Sequence, residues 1–254
     1  MDLNLNKKTA LITGAGRGVG KTTALALAEE GITVCLISRT ESELIEVCDE
    51  IKDKGGRAFY YVFDLSASSN YDELKNKIIS DVGGIDILIN NAAHVSTPKK
   101  ISYLEEKEWN QIIDIDLNAV FRLSKLFIDD MKNKKWGRII NIGSLSASVG
   151  VSSYPAYCAA KAGLEGLTKN MAVDYSKFGI TINMISPGFI ETERFKKAAP
   201  QELIEKYIGA TSVKRLGKAE DISDSILFLA SERASYITGI NLLVCGGLNL
   251  GNLW

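Results

Sequence analysis

Short β-branched apolar runs alternate with helix-period runs from one end of the chain to the other, and no other feature narrows the fold so far. The first run, Thr9–Thr13, is bounded by glycine, and the second, Thr33–Ile37, has no polar face. A strand without a polar face belongs in a parallel sheet covered on both sides. Further strands are expected at Ala58–Phe63, Ile85–Ile89, Arg138–Ile142, Thr181–Ile185 and Ile240–Val244. Helices are expected over Lys21–Glu30, closed by Gly31, and over Glu41–Lys54, stopped by Gly55-Gly56. Others are expected over Asn70–Val82, Glu105–Met131, Tyr154–Lys177 and Ala219–Leu229. Strand–helix–strand units of this length predict an α/β chain: a Rossmann-type, doubly wound, mostly parallel seven-stranded sheet with helices on both faces. At 254 residues, with no linker, charge block or repeat to divide it, the chain reads as one domain over 1–254. Only Pro187–Lys218 lacks a clear pattern, apart from a short helix expected at Gln201–Ile208. Loops at the carboxyl ends of such strands bind ligands, so this segment is expected to cover the cleft and govern substrate choice.

The turn between the first strand and first helix reads Gly14-Ala15-Gly16-Arg17-Gly18-Val19-Gly20. Glycine lets main-chain N–H groups approach a pyrophosphate with no Cβ in the way, and the positive helix N-terminus faces the anion. Gly20-Lys21-Thr22 resembles the end of a Walker-type loop, but the residue five before Gly20 is Ala15 rather than glycine, so a dinucleotide is favoured. An NAD site usually offers a carboxylate to the ribose 2′-hydroxyl at the end of the second strand. Here Ser38-Arg39-Thr40 stands in that place, with Arg17 as a second cation. A guanidinium suits a 2′-phosphate, so NADP(H) is expected; the competing role for Arg39 is a simple pair with Glu41 or Glu43.

Tyr157 and Lys161 are four residues apart on an expected helix, which stacks their side chains on one face. A phenol beside an ammonium is a useful acid, because the cation favours the phenolate left behind. Ser144 sits where the fifth strand ends and can return a hydroxyl to the same cleft. Together the three could move a proton onto a carbonyl oxygen while another group supplies a hydride. Alone, the Tyr-x-x-x-Lys spacing occurs by chance on many helices, and its weight comes from the rest of the chain.

Thirty basic residues against thirty-one acidic ones leave a net charge of −1, so nothing calls for nucleic acid or an anionic membrane. The N-terminus lacks the basic and apolar segments of a signal peptide, and no apolar run approaches the roughly 18–20 residues of a membrane span. A cytoplasmic location is expected. Cys35, Cys48, Cys158 and Cys245 show no Cys-x-x-Cys spacing and are expected to be buried thiols rather than disulfides or metal ligands. The single histidine, His94, is expected to be a loop residue with a local hydrogen bond, and no metal is expected.

Taken in order, Thr13-Gly14-x-x-x-Gly18-x-Gly20, Asn90-Asn91-Ala92, Ser144, Tyr157-x-x-x-Lys161 and Pro187-Gly188 resemble the short-chain dehydrogenase/reductase family over essentially the whole chain. The tail from Pro187-Gly188-Phe189-Ile190-Glu191-Thr192 onward resembles the branch that contains 3-oxoacyl-acyl-carrier-protein reductases. The resemblance implies Tyr157 as general acid, Lys161 as holder of the nicotinamide ribose and Ser144 as the hydrogen bond to the substrate carbonyl. It implies cofactor contacts at Gly14, Arg17, Val19, Asn91 and Thr192, adenine contacts at Asp64-Leu65, and carboxamide and phosphate contacts at Ile190 and Thr192. It also implies a homotetramer built through the two long helices and the last strand. The substrate would be a carbonyl compound, as a 3-oxoacyl thioester on a carrier protein or CoA, or as a small ketone, sugar, polyketide or steroid. A low-turnover cofactor sensor or scaffold is the alternative from another class.

Three positions depart from the family pattern, the first being Ala93, which follows Asn90-Asn91-Ala92 where glycine is more usual. Asp116 stands in Asp116-Leu117-x-x-x-Phe121, where the family has a catalytic asparagine that helps hold a water chain to the lysine. Aspartate is nearly isosteric, but its charge would favour the ammonium form of Lys161, and an active enzyme of altered pH dependence is expected. Phe178 replaces the arginine expected before Gly-Ile-Thr, leaving Lys134, Lys135 and Lys177 as the basic residues available to an acidic carrier protein.

Overall fold

In a computed structural model, which describes residues 3–66, 70–94, 97–192, 195 and 200–250, the seven expected strands form one sheet. They are β1 (Thr9–Thr13), β2 (Thr33–Ser38), β3 (Arg57–Val62), β4 (Ile87–Asn90), β5 (Gly137–Ile142), β6 (Ile180–Pro187) and β7 (Asn241–Val244). Every pairing is parallel, in the order β3-β2-β1-β4-β5-β6-β7. The winding direction reverses between β1 and β4, which opens a crevice at their carboxyl ends.

Side chains alternate across the sheet and divide the core in two. From β1, Ala10 and Ile12 pack under α1 (Gly18–Glu29) and α2 (Glu41–Asp53). Leu11 points the other way, toward α3 (Tyr71–Val82) and Phe127 of the long central helix. All five residues of β1 are buried, as a central parallel strand requires.

That central helix is not the continuous α-helix expected over Glu105–Met131. It comprises α4 (Glu106–Ile113), one π-helical turn at Asp114–Asn118 and α5 (Ala119–Lys134). In the wide turn the Ala119 N–H donates to the Asp114 carbonyl, five residues back instead of four. Such a bulge offsets the next residues around the helix and frequently marks a functional site.

A short helix, α6 (Ser146–Val149), follows β5 and was not apparent from the sequence pattern. Next comes α7 (Pro155–Tyr175), with proline in its first turn, where a missing N–H costs nothing. It passes into a 3₁₀ turn at Ser176–Phe178 and ends at Gly179 in the left-handed conformation, φ 77°. The expected short helix is α8 (Gln201–Ala210), and α9 (Ala219–Ala230) lies beside α1. Among the described residues, no helix is long and apolar enough to cross a membrane.

Candidate active site

The crevice between β1 and β4 is held by hydrogen bonds between residues singled out in the sequence. The Asn91 side-chain amide donates to the carbonyls of Thr13 (2.9 Å) and Gly14 (3.3 Å). Thr13 Oγ1 in turn accepts from the main-chain N–H groups of Asn91 and Ala92, both at 3.0 Å. Gly20 falls in the first turn of α1, which begins at Gly18 rather than at the expected Lys21. A Cβ on Gly20 would lie 2.2 Å from the Gly14 carbonyl oxygen, so the turn closes only around glycine there. Gly14 and Gly18 have φ of 64° and 55°, the left-handed region that glycine enters freely.

No side chain caps the N-terminus of α1. Its first N–H groups therefore present a site for an anion at the strand ends, and Thr192 lies over it, with Cγ2 3.7 Å from where a Gly18 Cβ would be. These residues fit the pyrophosphate of a dinucleotide.

At the adenosine end, the Ser38 hydroxyl closes a local turn with Thr40, and Arg39 is exposed. Arg17, not Arg39, is the partner of Glu43, at 3.3 Å. Burial pushes the Asp64 carboxyl up, but hydrogen bonds from Ser66 and the charge of Arg39 outweigh it and hold the group below the usual carboxylate range. Leu65 is buried, and its carbonyl accepts from the Tyr71 hydroxyl at 2.8 Å.

Across the crevice, β5 and α7 bring the three candidate reactive groups to one end of the sheet. Lys161 is 2% exposed; its ammonium donates to the Ile142 carbonyl at 3.0 Å and lies 5.6 Å from the centre of the Tyr157 ring. Tyr157 is half-buried beside a small pocket lined by Thr97, Leu104, Ile112 and Tyr154. Ser144 Oγ accepts from both the main-chain N–H (3.1 Å) and the hydroxyl (2.9 Å) of the buried Ser146. With its lone pairs so engaged, the Ser144 O–H is available to donate outward. Ser146 was not singled out in the sequence, and a serine on the turn following the strand is too common a signal to have revealed it.

Asp116 joins this group through the π-helical turn. It is fully buried, with Oδ2 3.7 Å from the Lys161 ammonium and Oδ1 accepting the main-chain N–H of His94 at 2.6 Å. His94 therefore makes a hydrogen bond across 22 residues of sequence, not the local one expected. Burial raises the Asp116 pKa above the ordinary carboxylate value, against the opposing pull of Lys161 and His94.

The segment after β6 is anchored at both ends. Ile190 and Gly217 form a parallel bridge, and Phe189 stacks on Tyr207 of α8 with ring centres 3.7 Å apart. Pro187 accepts the Leu145 N–H at 3.2 Å, which ties the end of β6 to the Ser144 loop. Gly188 packs so closely on Cys245 that a Cβ would lie 2.9 Å from its Cα. Cys35, Cys48 and Cys245 are buried free thiols as expected, whereas Cys158 is only half-buried. Lys134, Lys135 and Lys177 lie by the amino ends of β5 and β6, opposite the cleft of the same chain, and Lys134 pairs with Asp86 at 2.8 Å.

The sheet order and the glycine turn define a Rossmann-type dinucleotide fold. A family model described as Enoyl-(Acyl carrier protein) reductase matches residues 14–249, and the chain belongs to the short-chain dehydrogenase/reductase family. It is 38% identical over 246 residues to the 3-oxoacyl-[acyl-carrier-protein] reductase FabG of Buchnera aphidicola subsp. Schizaphis graminum, covering 97% of this chain and 99% of that protein. To the protein of the same name from Escherichia coli K12 it is 37% identical over 246 residues, with the same coverage. A crystal structure described as that of a candidate gluconate dehydrogenase from Agrobacterium tumefaciens superposes with a TM-score of 0.93 at 28% identity, covering 98% of each chain. The chain is thus an oxidoreductase, and its family implies a nicotinamide cofactor.

Proposed function

We propose that this enzyme reduces a ketone with NADPH, and that a 3-oxoacyl thioester on a carrier protein or CoA is the substrate. The observation that carries the proposal is the buried Lys161 ammonium facing the Tyr157 ring at one end of the sheet, beside the outward-free hydroxyl of Ser144. Ser144 and Tyr157 would both bond the carbonyl oxygen, and Tyr157 would protonate it. A bound nicotinamide supplies the hydride. Gly14, Gly16, Gly18, Val19, Gly20, Asn91, Ala92, Ile190 and Thr192 would hold the cofactor along the crevice, with Ser38, Arg39, Thr40 and Arg17 at its 2′-phosphate and Asp64-Leu65 at its adenine.

The relatives' names support a thioester substrate, and so does the wall near the cleft. Phe189 and Tyr207 stack there. An apolar aromatic wall suits an acyl chain better than a polyhydroxylated sugar. Phe121 on α5 and Val173 on α7 are 51% and 81% exposed, which supports a homotetramer assembled through these helices.

The test is loss of NADPH absorbance with a panel of 3-oxoacyl thioesters, small ketones and sugars. Thioester turnover that falls by about 10²-fold or more in Tyr157→Phe, with NADPH binding intact, is the expected result. Equal rates in the two proteins would end this reading. Sedimentation equilibrium giving the mass of a monomer would end the tetramer.

A further inference from the structure

Neither proline nor glycine occurs between Glu106 and Lys134, so no helix-breaking residue imposes the wide turn at Asp114–Asn118. Its shape must be held by contacts. A regular α-helix advances about 100° per residue, so losing the extra residue would rotate everything beyond the turn by that angle relative to α4. Asp116 is fully buried within the turn, and Val120, just beyond it, is buried with Leu164 of α7 and Met184 of β6. A relaxed turn could not keep both in place.

One side of the turn sits on the reactive end of α7. Asp116 Oδ2 lies 3.7 Å from the Lys161 ammonium, and a Cβ on Gly163 would lie 3.1 Å from Leu117. Another side faces α3 and carries a staple. Asp114, the first residue of the turn, accepts from the Asn118 amide at 3.2 Å and from the Arg122 guanidinium at 2.6 Å. Ordinary helix pairs link residues three or four apart, whereas this ion pair spans eight and straddles the turn into α5. Both partners are half-buried, and a bond between two charged groups is roughly twice as strong as a neutral one. Arg122 is itself held from α3. Its guanidinium carbon is 5.8 Å from the centre of the Tyr71 ring, and the buried Tyr71 is fixed by its bond to the Leu65 carbonyl.

We propose that Arg122 is a positioning residue for the reaction. Through Asp114 it holds the wide turn in the register that seats Asp116 and Leu117 on α7 at Lys161 and Gly163. It has no place among the groups around Tyr157 and acts through the turn alone. The inference rests on the reading of Tyr157 and Lys161 as the reactive pair.

The test uses the full-length enzyme with NADPH and its best carbonyl substrate, at a temperature where circular dichroism shows every variant folded. Arg122→Met keeps the length of the side chain and removes its charge. It is expected to lower kcat about tenfold, while KM for the carbonyl and Kd for NADPH stay within about twofold of the parent. That loss is smaller than the roughly 10²-fold or more of a group touching the substrate. A single guanidinium nitrogen makes the bond to Asp114, so Arg122→Lys should recover most of the loss. Asp114→Asn should lose about as much as Arg122→Met, and the two together no more than either. In an Asp116→Ala background, Arg122→Met should cost nothing further, because the group it positions is gone. A merely structural role would not produce that non-additivity. A kcat within about twofold of the parent in Arg122→Met, or a loss that persists in full in the Asp116→Ala background, would overturn the inference and leave the role of Tyr157 untouched. A Tyr157→Phe protein as active as the parent would instead end the reading of the reactive pair, and this inference with it. Should Arg122→Met fail to fold, Asp114→Asn in the parent and Asp116→Ala backgrounds decides the matter by itself.

Discussion

Arg17 and Glu43 face each other at 3.3 Å across the mouth of the adenosine site, with Arg17 69% exposed and Glu43 at 29%. The Glu43 carboxylate also crowds Gly16, where a Cβ would lie 2.7 Å from Oε2 and 3.4 Å from Ser38 Oγ. This places a negative charge beside the guanidinium that the proposal assigns to a 2′-phosphate. Binding NADPH would require Arg17 to leave Glu43. An exposed pair of this kind is worth about 0–1 kcal/mol, so the competition is modest. Glu43→Gln is expected to tighten NADPH binding up to about fivefold and to leave NADH nearly unchanged. Arg39→Ala should weaken NADPH and spare NADH. Fluorescence titration of both cofactors measures this, and equal changes for the two would remove Glu43 and Arg39 from cofactor selection.

The helix that carries Tyr157 and Lys161 is tied to the sheet by a buried polar chain. The Asn90 amide donates to Asn141 at 2.8 Å, the Asn141 amide to Thr168 Oγ1 at 2.9 Å, and the Thr168 hydroxyl to the Leu164 carbonyl at 2.8 Å. Thr168→Val keeps the shape but leaves the Asn141 amide without an acceptor. The expected cost is about 1–3 kcal/mol in urea unfolding, with kcat reduced because α7 loses a tether at the level of β5. A stability within a few tenths of a kcal/mol of the parent would show that the chain carries no such load.

Gly20 gives a prediction about the phosphate turn itself. A Cβ there meets the Gly14 carbonyl oxygen at 2.2 Å and the Asn91 amide at 2.7 Å, and backbone cannot move aside as a flexible side chain can. Gly20→Ala should therefore cost about 1–3 kcal/mol and weaken dinucleotide binding, since the Asn91 bonds across the crevice must give way. Gly166→Ala is the control, because nothing lies within 4 Å of a Cβ there. The comparison is made by thermal melting with and without cofactor. Equal effects at the two positions would show that the turn is looser than its geometry implies.

These positions also show what the sequence made legible. The inner strands are short apolar runs buried on both faces. The edge strands β3 and β7, though only partly buried, are still rich in apolar and aromatic residues, so local composition reports all seven to within a residue or two. The glycine turn and the Tyr157–Lys161 pair could be picked out because each repeats a spacing tied to backbone geometry, Ser144 because it stands at a strand end, and Asn91 only through the family resemblance. The π-helical turn at Asp114–Asn118 could not, since one residue of offset leaves the apolar period of a long helix almost intact. The hydrogen bond from His94 to Asp116 was equally hidden, because it depends on a backbone N–H and on tertiary distance rather than on residue type. Which arginine meets Glu43 followed from where α2 begins, again a matter of placement.

Asp221 offers the clearest pH dependence of stability. It accepts two hydrogen bonds from Arg215, at 2.6 and 2.8 Å, and a third from the Lys218 main-chain N–H at 2.7 Å. These hold its carboxyl down from 3.8 to about 2, the Arg215 bonds contributing most. Because the folded-state value lies below the unfolded one, the stabilisation is complete above about pH 4 and is lost as pH falls toward 2. Arg215 is 52% exposed, so solvent screening reduces the contribution to about 1 kcal/mol. Asp221→Asn should therefore be less stable than the parent by about that amount at pH 7, with the gap shrinking by roughly half near pH 3. The same bonds brace the Gly217 end of the segment that follows β6, where Gly217 bridges to Ile190. The variant should accordingly raise the KM of the carbonyl substrate more than it lowers kcat. A stability gap that stays constant from pH 7 to pH 3 would mean that Asp221 acts through helix capping shape alone and not through its charge.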